Sequence, residues 1–192
     1  MTALTLSLSP TVELTDEQFY EICQNNRDLK FERNANGELI IMAPIGGESG
    51  RHEADLIADL NIWNRHTNLG VVLSSSTGFK LPNGADRSPD IAWVQLERWE
   101  SLTPEQRRKY PPLCPDFVIE LRSETDSLSV LQKKMQEYID NGARLGWLID
   151  PRNRRVEIYR PHQAVEILES PASLSGEDVL PGFMLQLARI FD

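Results

Sequence analysis

Two cysteines, Cys23 and Cys114, are all that the 192 residues contain, and their distant spacing suggests neither a metal knot nor a disulfide framework. Both are expected to be free, buried thiols. No apolar run approaches the length needed to cross a bilayer, so no membrane span is expected. The opening MTALTLSLSP lacks the basic start and continuous apolar block of a secretory signal, and a cytoplasmic location is expected. Basic residues are in the minority, 20 Lys and Arg against 29 Asp and Glu, for a net charge of -9. A protein that coats nucleic acid by neutralising phosphates is usually basic. The same balance is compatible with a cleft of carboxylates that holds a divalent cation, because the metal supplies the missing positive charge.

Several catalytic signatures are missing as well. There is no GxSxG, no glycine-rich phosphate loop leading into a helix with Lys-Ser/Thr, and no zinc-ligand spacing, which disfavours hydrolase triads, NTPases and zinc enzymes. His52 has no Ser or Cys placed beside it by a motif, and His66 and His162 read as surface residues. No internal repeat, low-complexity tract or linker interrupts the chain, and its length suits one domain over residues 1–192.

What is present is an alternation of helical and strand-like periods. Thr15 followed by Gln18 predicts a capped helix over 15–26, with Phe19, Ile22 and Cys23 on one face. Asn36-Gly37 predicts a hairpin within KFERNANGELIIMAP. A long helix is expected through ESGRHEADLIADLNIWNRH, then strands near 70–74, 77–81 and 90–94. Thr103-Pro104 opens an inserted helix that ends at Pro111-Pro112. After a strand at 115–122, Leu128, Leu131, Met135, Tyr138 and Ile139 follow helical spacing up to Gly142, and RLGWLIDP with RRVEIYRP predicts a further hairpin. A short strand, AVEILES, and a tail through LPGF complete the pattern. The order predicts an α+β or mixed α/β domain built around one central sheet, with an N-terminal helix and hairpin.

Within PDFVIELRS, Glu120 and Arg122 lie two apart on an otherwise apolar strand and therefore on the same side of it. Asp90 opens a second apolar strand, PDIAWV. A bare carboxylate in such surroundings costs several kcal/mol unless it is paired, protonated or bound to a cation. Two readings stay open. In one, Asp90 caps a turn and Glu120 pairs with Arg122; in the other, hard oxygen ligands from two neighbouring strands hold a divalent metal.

The order SPD plus apolar strand, PDFVIELRS, a helix with Lys and Tyr, then GWLIDP resembles the Uma-type restriction-endonuclease-like family of the PD-(D/E)XK nuclease superfamily, over roughly residues 15–187. That resemblance implies an α/β restriction-endonuclease-like core, a central mixed sheet flanked by helices, and metal-dependent cleavage of DNA. It implies Asp90 as central metal ligand and Glu120 as the acid of the second half-motif. Position 122, where the half-motif has Lys, carries Arg122, which stays charged near neutrality and serves poorly as a general base, though it can stabilise phosphate charge. The family's lysine on the following helix, four before Tyr, corresponds to Lys134 before Tyr138, with Lys133 the alternative and a solvated helix face the plain structural reading. A further helical acid would be Glu48, or else Glu53; either could equally be a helix-start carboxylate that complements the macrodipole. Mg²⁺ or Mn²⁺ is the implied cofactor and DNA the implied partner. A homodimer, with Trp93, Trp99 and the tail at its interface, would bring two clefts to two strands of a duplex. The alternative function is a catalytically inactive nuclease-fold module that binds DNA or a protein, which Arg122 and the acidic charge favour.

Overall fold

Each helix start marked in the sequence by Thr and Gln satisfies its own backbone. The computed structural model describes residues 4–9, 11–42 and 44–192; Met1 to Ala3, Pro10 and Ala43 lie outside that description. A short strand β1 (Leu4–Leu6) precedes α1 (Asp16–Asn25), where Thr15 Oγ1 accepts the Gln18 N–H at 3.2 Å and Gln18 Oε1 accepts the Thr15 N–H at 2.9 Å. A cap of this kind is worth about 1 kcal/mol. Strands β2 (Lys30–Arg33) and β3 (Leu39–Met42) then pair antiparallel around a turn in which Gly37 takes φ +80°, a conformation that suits glycine.

Helix α2 (Gly47–Thr67) leads to four strands: β4 (Gly70–Ser74), β5 (Phe79–Lys80), β6 (Asp86–Arg87) and β7 (Ile91–Gln95). Two short helices follow, α3 (Leu96–Glu100) and α4 (Pro104–Arg108), the second capped by Thr103 and Gln106. Then come β8 (Phe117–Leu121), α5 (Leu128–Asp140), β9 (Leu145–Asp150), β10 (Arg155–Tyr159), β11 (Glu166–Glu169), β12 (Ser173–Ser175), β13 (Met184–Gln186) and α6 (Ala188–Phe191).

The central sheet has the order β11-β10-β9-β8-β7-β4 and is mixed, with β8 and β9 parallel and the other pairs antiparallel. The parallel pair needs a crossover, and α5 supplies it. Alternate residues of β7, β8 and β9 face opposite cores. Ile91, Trp93, Phe117, Ile119 and Trp147 meet Leu56 and Leu60 of α2 and the apolar residues of the C-terminal segment. Ala92, Val94, Val118 and Leu148 meet Met135 and Tyr138 of α5.

Two sequence expectations change. The N-terminal hairpin does not stand alone beside one central sheet: it is the middle of a second, five-stranded sheet of order β1-β3-β2-β6-β5. The turn at Pro82-Asn83-Gly84 folds Asp86–Arg87 back onto Phe79–Lys80, and Asp86 pairs with Arg33, so the polar residues after the turn become strand. A third, two-stranded sheet joins β12 to β13. The insert also holds two helices rather than one, because α3 begins directly at the end of β7.

Trp93 is unavailable to a dimer surface. It is 2% exposed, donates its indole N–H to Asn64 Oδ1 at 2.9 Å, and lies so close to Gly70 that a Cβ there would overlap its ring. Trp99 is half-buried against the α5-side core. Of the two free thiols Cys114 is buried and Cys23 half-buried. Among the described residues no helix is long and apolar enough to cross a membrane.

Candidate active site

Strand register brings the two acids together. Ile91 lies opposite Ile119 and Ala92 opposite Val118, and continuing that antiparallel register by one residue, to Asp90 just before β7, sets it beside Glu120. Continued in that way, both side chains fall on the face of Ala92 and Val118. Asp90 Oδ2 also accepts the Leu121 N–H at 2.8 Å, which ties the carboxylate to the end of β8. The face is the one that α5 covers, and α5 brings two polar groups to Glu120. Tyr138 Oη donates to Glu120 Oε1 at 3.1 Å, and Lys134 Nζ stands 2.8 Å from the same oxygen. The four-residue spacing of Lys134 and Tyr138 places both on one side of the helix.

Burial governs the electrostatics. Glu120 is 3% exposed, and burial pushes its carboxyl up to about 7; Lys134 opposes that rise, while Asp90 and the third acid of the cluster, Glu32, add to it. Burial raises the Asp90 carboxyl too, against Lys30 and Lys134. Burial disfavours the Lys134 ammonium, but the surrounding carboxylates overcome it and hold the group charged. Among the described residues, no side chain or backbone group pairs with the second oxygen of either Asp90 or Glu120. The pair therefore offers two hard oxygens, partly stripped of water and short of positive charge, which suits a small divalent cation that keeps part of its water shell.

Glu32 on β2 is a participant that the sequence did not single out. Its Oε1 lies 2.8 Å from Lys134 Nζ and accepts the Ser88 N–H at 2.9 Å, and its Oε2 lies 3.0 Å from Arg87. Burial opposes its ionisation, yet Lys134 and Arg87 bring its carboxyl down to about 2. KFER reads as an ordinary hairpin strand with one polar face; only the close approach of the five-stranded sheet to α5 buries that face.

Arg122 does not pair with Glu120. Continuing the parallel register of Leu121 with Ile149 sets Arg122 beside Asp150, and its guanidinium lies 2.6 Å from Asp150 Oδ2. Burial alone would raise the Asp150 carboxyl, but hydrogen bonds from Asn153 and Arg122 hold it below the ordinary range.

Asp90, Glu120, Arg122, Lys134 and Asp150 line a cleft of about 1030 Å³ at the end of the central sheet, together with Lys30, Arg152 and Arg154. Glu48 and Glu53 reach its wall from the first turns of α2. Glu48 is exposed, while Glu53 accepts a hydrogen bond from Ser75. Among the described residues no three His, Cys, Asp or Glu side chains form a group that could hold an ion, so Asp90 and Glu120 stand as a pair without Glu48 or Glu53. His52 also lines the cleft; burial and the adjacent Arg51 charge lower its pKa. Lys133, unlike buried Lys134, lies on the outward side of α5.

Comparison with known proteins adds to this geometry. A family model described as "Uma2: Putative restriction endonuclease" matches residues 16–188. The crystal structure of a "putative nuclease belonging to DUF820" from Anabaena variabilis superposes with a TM-score of 0.72 at 20% sequence identity, over 84% of this chain and 89% of that one. At that identity the likeness establishes the fold alone, the mixed arrangement of sheet and helices. No curated protein matches the chain.

Proposed function

The chain belongs to the Uma2 family, and we propose that it is a divalent-metal-dependent endonuclease that hydrolyses DNA phosphodiester bonds. What supports this reading is Asp90 at the start of β7 accepting the Leu121 N–H next to Glu120 on β8, with the Lys134 ammonium against one oxygen of Glu120. In this reading Asp90 and Glu120 hold Mg²⁺ or Mn²⁺. Such an ion, when bound, polarises a phosphodiester as a Lewis acid.

The chain's own residues divide the remaining work. Asp90 is steered by the Leu121 N–H, and Glu120 by Tyr138 and Lys134, so both carboxylates present a fixed oxygen to the cleft. Lys134, kept charged by its carboxylate neighbours, acts as an electrostatic group near the reacting phosphate and not as a proton acceptor. Arg122 is committed to Asp150 and contributes from the side of the cleft. An acidic floor repels a bare polyanion, so DNA is admitted once a cation occupies it.

One observation favours a second reading, a binding module without turnover: Arg122 fills the usual lysine position of the half-motif and is already engaged. Cleavage of supercoiled plasmid separates the two. Nicking that requires Mg²⁺ or Mn²⁺, stops with a chelator and disappears in Asp90→Ala supports the nuclease. Equal nicking by wild type and Asp90→Ala, or none at all with DNA still bound, contradicts it.

A further inference from the structure

We infer that Glu32 is a positioning residue for the candidate metal site: it holds the Lys134 ammonium to one oxygen of Glu120 and so keeps the other free for a cation. The inference rests on the nuclease reading above, and concerns a residue of the second sheet.

The geometry is a closed loop of charges between the two sheets and α5. Lys134 Nζ meets Glu32 Oε1 at 2.8 Å, Glu120 Oε1 at 2.8 Å and the Ser88 carbonyl at 3.4 Å. An ammonium has three donors, and here each has an acceptor. Glu32 is itself immobilised. Its Oε1 takes the Ser88 N–H and its Oε2 takes Arg87, whose Nε donates to Glu137 at 2.6 Å, one turn beyond Lys134 on α5. The loop thus runs from β2 to β6 to α5 and back, and it is buried at Glu32 and Lys134.

The consequence lies at Glu120. Lys134 and Tyr138 both take Oε1, leaving Oε2 and the facing Asp90 as the uncommitted pair. Were Glu32 no longer to anchor it, an ammonium on a flexible stem would centre itself between the remaining carboxylates and compete there with a divalent ion. Glu32→Gln is close to isosteric and keeps an acceptor for Ser88, so it removes the anchoring charge while preserving shape.

The test is Mn²⁺ titration by calorimetry on wild type, Glu32→Gln, Lys134→Met and the double variant. Glu32→Gln should weaken Mn²⁺ about tenfold in the wild-type background but by no more than about twofold when it is made on top of Lys134→Met, because residues in one network couple strongly. Glu32→Asp, which keeps the charge but withdraws it by one methylene, should lose about threefold; it serves if a charge-removing variant fails to fold. Additive effects of the two substitutions, or Mn²⁺ bound equally by wild type and both Glu32 variants, overturn the role of Glu32 and leave the nuclease reading standing. No Mn²⁺ binding by folded wild type overturns both.

Discussion

Asp90, just before β7, accepts the N–H of Leu121, the residue after Glu120 on β8, and each of the two acids has one oxygen held by the protein. Removing the Asp90 charge should therefore separate function from stability. Asp90→Asn is expected to weaken Mn²⁺ binding by at least about tenfold, since one of only two facing carboxylates is lost. The same change should raise apo stability by about 1 kcal/mol, because burial penalises the Asp90 charge. Calorimetry and urea unfolding read the two effects on one sample.

Glu120 and Glu32 should pull stability in opposite directions with pH. The Glu120 carboxyl is raised from 4.5 to about 7, so the folded state binds its proton more tightly than the unfolded chain. Its ionisation costs nothing below 4.5 and costs increasingly as pH rises to about 7; Glu120→Gln should gain on wild type across that window by at most about 3 kcal/mol. Glu32 is lowered from 4.5 to about 2, so its stabilisation is present above 4.5 and lost as pH falls toward 2. The deficit of Glu32→Gln should accordingly vanish in that acid range. Urea unfolding with a chelator present, repeated across pH, checks both slopes.

Lys134 should matter for rate more than for DNA binding. Lys134→Met is expected to lower kcat at least about 100-fold while KM for plasmid changes little, as befits a charge that acts on the developing negative phosphate. Steady-state nicking assays measure the split, and a change confined to KM would assign Lys134 to substrate binding.

Arg122 and Asp150 form a pair whose loss should be felt locally. Arg122→Ala leaves Asp150, 4% exposed, without its guanidinium and should cost about 1–2 kcal/mol. Arg122→Lys keeps charge but not the planar donor set, and should recover only part of that stability. If it raises nicking to that of an enzyme with the half-motif lysine, position 122 and not Lys134 carries the catalytic charge.

The sequence made the cleft's own strands legible because their chemistry is local. Asp90 and Glu120 are acids embedded in apolar runs, and the four-residue spacing of Lys134 and Tyr138 sets those two on one side of a helix. The reciprocal caps at Thr15 and Thr103 were readable for the same reason. Glu32 was not, since KFER carries no local oddity and its burial arises when a second sheet meets α5. The partner of Arg122 was not legible either: it is Asp150 on β9, a parallel neighbour reached through a helical crossover that no short-range signal specifies. Trp93 read as an exposed dimer contact because an aromatic in a five-residue strand gives no indication of which sheet face is covered; α2 covers that one.

The most direct test of the central claim is a Mn²⁺ titration of folded wild type and Asp90→Ala above neutral pH, where Glu120 is ionised. The account predicts a saturable binding heat in the wild type that is lost in the variant. Absence of binding in the wild type, or undiminished binding by Asp90→Ala, would contradict it.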